Sequence, residues 1–223
     1  MTTPSINGVT TEIRQLTDFL VSSGFIDDQN YPIRRDIAPG IREVIFSASF
    51  QISSTLKNVT YADSYRDQLT GRAYNFRMLD GALIQMTYRF ENGAISQGRL
   101  AFLPSPDLEA FQNDPEIYEE DVVFAEVISK RILPAPVRFD FDMRPSVAVD
   151  VDHPRSHLTL GQYKNCRIAV SAPVTPGVFM GFILRSFYNP ALKTLGDPAP
   201  CFGHRFENTI SAPEKAALHI AIP

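Results

Sequence analysis

Asp150, Asp152, His153 and His157 fall within eight positions of one another. Ionised carboxylates and neutral imidazoles ligate divalent metals, and a positioned imidazole moves protons near neutral pH. Just upstream, Arg138, Asp140 and Asp142 alternate with apolar residues in VRFDFD. A strand there would place all three on one face. Downstream, Arg155, Lys164 and Arg167 supply cations suited to phosphate oxygens. Taken together, His153, His157, Asp140 and Asp152 are the candidate catalytic groups. Arg138, Arg155, Lys164 and Arg167 are the candidate substrate-binding groups. Asp142 and Asp150 are the candidate ligands of a divalent metal. The chemistry would be His/Asp-dependent, metal-assisted hydrolysis of nucleic acid or a nucleotide.

The same residues also fit a plainer role, in which they hydrogen-bond one another and the backbone at a sheet end. Two stronger signatures fail. His153 and His157 at i, i+4 would share a helix face, as in zinc proteases, but Pro154 separates them and no Glu follows His153. His157-Leu158-Thr159 matches one half of the His-x-Thr signature of two-histidine phosphoesterases, whereas His219-Ile220-Ala221 lacks the hydroxyl of a second half. A Gly-rich phosphate loop, a nucleophile elbow and a CxxC pair are all missing, which disfavours an NTPase, a common serine hydrolase and a zinc finger. Cys166 precedes Arg167, so it reads either as an activated thiol or as an inert, buried one.

The elements that must position these groups follow from periodicity. Residues 10–23 suggest an amphipathic helix, with Ile13, Leu16, Leu20 and Val21 as its stripe, Thr10 as cap and Gly24 at its end. A polar turn with Pro32 and Pro39 leads to an alternating strand over 44–52. Thr60 and Asp63 open a second helix carrying Tyr61, Tyr65 and Leu69. Alternating runs separated by Asp80-Gly81 and Asn92-Gly93 predict an antiparallel meander over 73–103. Residues 107–130 suggest a part-helical segment. Two further strands, 137–142 and 147–152, would form a hairpin through 143–146 and crowd four carboxylates on one surface. Thr175-Pro176 opens a helix with Phe179, Phe182, Ile183 and Phe187 as its stripe, stopped by Asn189-Pro190. Ser211 and Glu214 suggest one last short helix.

The expected fold is therefore α+β, a mainly antiparallel sheet with its central meander at 73–103, flanked by helices. Residues 1–223 read as a single domain, with 190–223 a Pro-rich C-terminal extension packing on it. Of the 223 residues, 44% are hydrophobic and 21% charged, which permits an ordinary core. A net charge of -4 argues against bulk electrostatic binding of nucleic acid. The charge is uneven: residues 107–121 hold seven acids and no base, and residues 130–185 hold eight bases against four acids. A locally basic surface near the histidines would result. The opening MTTPSINGV lacks the features of a signal peptide, and the longest apolar run, 177–184, is too short to cross a bilayer. A cytoplasmic protein with free thiols and no membrane association is expected.

Three stretches carry a family resemblance: ISSTLKNVTYADSYRDQLTGRAYNFRMLDGALIQMTYRF, GRLAFLPSPDLEAFQNDPEIYEED, and PVRFDFDMRPS followed by HPRSHLTLGQYKNCRIAV and FILRSFYN. From about residue 53 to 189 the chain resembles the bacterial family catalogued as domain of unknown function 2290. The resemblance implies a bacterial, cytoplasmic, uncharacterised protein whose relatives sit in mobile or defence-related gene neighbourhoods. It carries over no catalytic residue. Arg138, Asp140, His153 and His157 also resemble the Arg-x-Asp strand and histidine-rich loop of small bacterial toxins. Two functions are thus in play. One is a soluble interaction or accessory component of a defence or mobile-element locus, acting with a protein partner or as a homo-oligomer. The other is the hydrolase or nuclease-like toxin, with nucleic acid as a candidate ligand. Composition and spacing do not decide whether the protein is an enzyme.

Overall fold

A computed structural model describes residues 3–46, 60–106, 135–163, 165–196, 200 and 202–223. The chain opens with α1 (Ile6–Ser22). Ser5 caps it by accepting from the Gly8 N–H, so the helix begins earlier than a Thr10 cap would allow. Thr10 lies inside and donates to the Ile6 carbonyl at 2.7 Å. Val9, Ile13, Leu16 and Leu20 are buried, whereas Val21 faces out. Gly24 takes the left-handed φ of 69° expected after a helix end.

The turn expected around Pro32 and Pro39 instead holds β1 (Ile26–Gln29) and β2 (Ile33–Ala38), with β3 (Ile41–Ile45) after them. Pro32 lies between β1 and β2, and Pro39 with Gly40 turns β2 into β3. Most of β1 and β2 is partly or fully exposed, so neither shows the buried alternation that marks a strand. The remainder of the strand expected over 44–52 lies outside the described residues, as does the segment 107–130. Next comes α2 (Tyr61–Thr70), whose Thr60 cap accepts from the Asp63 N–H as expected. Tyr61, Tyr65 and Leu69 pack on Leu83, Ala101 and Leu103.

The meander is present as β4 (Phe76–Met78), β5 (Leu83–Glu91) and β6 (Ala94–Leu103). Asn92 and Gly93 have φ of 51° and 88°, the double left-handed turn that Asn-Gly favours. At Asp80-Gly81 only Gly81 is left-handed, and the Asp80 carboxylate closes the turn by accepting from the Ala82 N–H at 3.0 Å. Beyond β6 follow β7 (Val137–Asp142), β8 (Ser156–Leu160) and β9 (Arg167–Val170), each antiparallel to the last.

Three helices close the described chain. The first, α3 (Pro176–Phe187), has the expected Thr175 cap and Pro176 in its first turn. Immediately after it comes α4 (Asn189–Leu195), so Pro190 starts a second helix as well as ending the first. A Ser211/Glu214 capping box opens α5 (Ala212–Ala216). The final strand, β10 (His219–Ile220), pairs parallel to β9.

Among the described residues these strands make one open, mostly antiparallel sheet of ten, ordered β1-β4-β5-β6-β7-β8-β9-β10. The β2–β3 hairpin joins through β3 to the far half of β5. The fold is α+β. Helices α1 and α3 cover one face, where Phe139 meets Phe179 and Phe182 edge-on at 6.0 and 5.8 Å. Phe206 and Ile222 are buried in the same core.

One expectation is corrected. Residues 147–152 form no strand; they are turns with a single bridge between Val149 and His153. Val151 adopts φ 69°, rare for a β-branched residue, and both Val149 and Val151 are exposed. The alternation in VAVDVD finds no surface to bury against, so the partner of β7 is β8.

Candidate functional site

The charged residues of β7 take the sheet face opposite α1 and α3, the face on which α2 covers Leu83, Ala101 and Leu103. Val137, Phe139 and Phe141 enter the core, while Arg138, Asp140 and Asp142 turn the other way, as the alternation predicts. Pairing then decides what they meet. Thr87, Arg99, Asp140 and His157 form one row across β5–β8. Ala101, Arg138, Thr159 and Arg167 form the next, across β6–β9. On the other side, Arg35, Glu43, Arg89, Gln97 and Asp142 form a third.

Two carboxylates on this face, Asp140 and Glu43, each lie between two arginines. Asp140 accepts from Arg99 Nε at 2.8 Å and Arg138 Nε at 2.5 Å. Burial alone would push its carboxyl up; the two guanidinium groups, aided by His157, outweigh that and hold it below the ordinary aspartate value. Glu43, 1% exposed, is bridged by Arg35 at 2.8 Å and Arg89 at 2.5 Å. Asp142 is engaged by Arg144 at 2.5 Å and by Gln97 at 3.2 Å. Burial raises its pKa, and these donors lower it by more, leaving a net depression. Asp140 is therefore a fixed anion that orients two guanidinium groups, and a poor proton acceptor.

His157 is 5% exposed and has its Nδ1 2.8 Å from the Pro154 carbonyl. A carbonyl only accepts, so Nδ1 carries the hydrogen of the neutral ring and Nε2 keeps a lone pair. Nε2 lies 3.8 Å from Asp140 Oδ2, beyond a hydrogen bond. Burial lowers the His157 pKa, and the attraction of Asp140 reverses only part of that. The imidazole is thus neutral at neutral pH, with Nε2 on the charged face. His153 is half-buried, its ring 5.0 Å from that of His157.

Of the residues singled out from sequence, the fold brings together Arg138, Asp140, His153, His157 and Arg167. Asp150 and Asp152 sit exposed in the turn before β8, and Arg155 is exposed at its start. The hairpin that would have set them beside Asp140 and Asp142 does not form. Lys164 lies outside the described residues. Among those described, no three His, Cys, Asp or Glu side chains converge as a metal-binding group. Asp142 already serves Arg144 and Gln97. Cys166 is a free, half-buried thiol. His219 lies in register with Ala169, which itself pairs with His157, so it is two strands away from His157, and Ala221 gives it no hydroxyl.

Sequence reasoning missed Arg99, Glu43 and Arg89. Their alternation within β3, β5 and β6 could have placed them on a polar face, but not opposite Asp140 or Arg35. Thr159 also gained its meaning only here. Its Oγ1 is buried and, among the described residues, has no hydrogen-bond partner. A small cavity of about 10 Å³ lies beside this region, lined by Tyr88, Leu100, Phe139, Phe141, Asp140 and His157. Strand alternation puts its phenylalanines on the core side and the carboxylate and imidazole on the other, so it is not the place where these charged groups act.

Fold and site together define an α+β protein whose open sheet packs α1 and α3 on one face and, on the other, bears an arginine–carboxylate lattice beside the patch covered by α2. The chain belongs to the family described as "Uncharacterized conserved protein (DUF2290)", whose model matches residues 25–222. No curated protein and no solved structure matches it. No helix among the described residues is long and apolar enough to cross a membrane.

Proposed function

We propose that the protein is a bacterial, cytoplasmic binding component of a defence or mobile-element locus, and that it holds a phosphodiester backbone on the arginine-bearing sheet face. One observation carries this reading. Arg35, Arg89, Arg99, Arg138 and Arg167 share that face with Glu43, Glu91, Asp140 and Asp142, so five cations meet four anions. The face is locally basic although the whole chain is acidic, and guanidinium forks suit phosphate oxygens. Residues 1–223 act as a single domain, with 190–223 packed against it. Exposed Met143, Val149 and Val151 in the turn before β8 favour a protein partner or a second copy beside the nucleic acid.

Fluorescence anisotropy with labelled single- and double-stranded oligonucleotides across a salt series tests the reading. Binding should weaken steeply with salt, and Arg138→Gln with Arg167→Gln should lower the logarithmic slope by about one to two. An absence of binding at low salt would sink it.

A second reading is favoured by the His157 Nε2 lone pair: a hydrolase in which His157 is the proton acceptor, His153 its neighbour, and a divalent metal is recruited with substrate. His157→Gln should then abolish phosphodiester cleavage while leaving binding intact. Cleavage unchanged by that substitution removes this reading.

A further inference from the structure

Arg138, Thr159 and Arg167 cross β7, β8 and β9 in register, a hydroxyl between two guanidinium-bearing side chains. The buried Thr159 Oγ1 is unpaired among the described residues. Native proteins leave few such atoms, and each calls for a reason. The neighbours cannot supply one. Guanidinium groups only donate, so the Thr159 O–H has no acceptor across either strand. Asp140, in the adjacent row, is already occupied by Arg99 and Arg138. Arg167 forms no ion pair with any described carboxylate, and its charge is felt at His157. The row thus has donors on three consecutive strands, of which only Arg138 has an anion, an Asp140 carboxylate it shares with Arg99.

We infer that Arg138, Thr159 and Arg167 form a seat for a phosphoryl oxyanion, with the hydroxyl donating to one oxygen and the two guanidinium groups donating to the others. A tetrahedral oxyanion brings both things the row lacks, a negative charge and several acceptors. Arg138 retains 42% exposure of its side chain, so its swing outward opens the path to Thr159. Asp140 then serves as the anchor from which Arg138 reaches the ligand. The phosphodiester form of this ligand rests on the binding reading above; free phosphate offers the same chemistry without it.

The test uses the full chain and two probes, inorganic phosphate by calorimetry and a short labelled oligothymidylate by anisotropy. Thr159→Val swaps an unpaired hydroxyl for a methyl of the same shape, so its melting temperature should hold or rise. Arg167→Gln removes charge without touching the core. Each substitution should weaken phosphate binding about tenfold, the loss of one charge-assisted hydrogen bond. Equal loss for the oligonucleotide assigns the seat to a phosphodiester. Loss for phosphate alone, with no oligonucleotide binding by the unaltered protein, keeps the seat as a free-phosphate site and removes the nucleic-acid reading. Phosphate binding within about twofold of the unaltered protein in both variants, or no phosphate binding by the unaltered protein, overturns the seat even if the oligonucleotide binds.

Discussion

The two sides of the sheet bury carboxyl groups in opposite ways. On the helix side, Glu12 of α1 is 1% exposed, with one oxygen accepting from the Gly177 N–H of α3 at 3.2 Å and the other unpaired among the described residues. Burial there pushes its pKa up to about 7, and that single backbone bond offsets only part of the rise. Asp80 is similar: burial takes it to about 6 despite bonds from Ala82 and from the Tyr188 hydroxyl at 3.0 Å. On the charged face, the Asp140 side chain is only 14% exposed but sits between two arginines and stays ionised. Burial is common to both sides. The presence of a guanidinium decides whether the buried carboxyl takes up a proton or keeps its charge.

Perturbations of these two sides should separate them, the largest first. Phe139→Ala removes a ring packed on Phe179 and Phe182 and should cost about 3–5 kcal/mol in urea unfolding. That would be the ceiling for a residue on β7. A smaller loss than for Asp140→Ala would mean that the charged face, and not the helix side, holds the strand.

The pH response comes next. Glu12 has a folded pKa above its unfolded 4.5, so the folded state binds the extra proton. Its contribution to stability is fully present below about pH 4.5 and is lost as pH rises through about 7. Glu12→Gln should therefore flatten a loss of about 3 kcal/mol between pH 5 and pH 8, measured by chemical denaturation at each pH. Asp140 runs the other way. Its folded value lies below 3.8, so its stabilisation is present at neutral pH and fades as the solution is acidified below that value. A Glu12→Gln variant with the unaltered protein's pH slope would break the contrast.

Asp140→Ala should cost about 2–3 kcal/mol, less than a fully buried ion pair because Arg99 and Arg138 are partly solvated. It should also lower the His157 pKa further, since the nearest anion is gone; imidazole NMR shifts against pH would show it. A rise instead would remove Asp140 as the source of that attraction. Smallest of all, Tyr188→Phe deletes the hydroxyl that donates to both Asp80 oxygens and should cost about 1 kcal/mol, more above pH 6 than below it. Stability that is unchanged at both pH values would mean that Ala82 alone holds the Asp80 turn.

By itself the sequence determined the features that depend on near neighbours. The caps at Thr60, Thr175 and Ser211 were legible because a cap needs only its own helix turn. So were the Asn92-Gly93 turn and the two faces of β7, since alternation is a property of one strand. Gly24 was legible for the same reason. What only the tertiary structure decided was which strand lies beside which. Asp140 could be placed on a polar face from VRFDFD, yet its partner Arg99 is 41 residues away and the connection between them says nothing of register. The strand expected at 147–152 failed because alternation is necessary for a half-buried strand but does not provide the neighbour that buries it. The strands β1 and β2 were invisible for the converse reason: they are held by ladder bonds at an exposed edge, and backbone hydrogen bonds leave no mark on side-chain pattern. Thr159 is the clearest case. Its hydroxyl becomes an unpaired donor between two guanidinium-bearing residues only when three strands align, and no local pattern in the chain encodes that alignment.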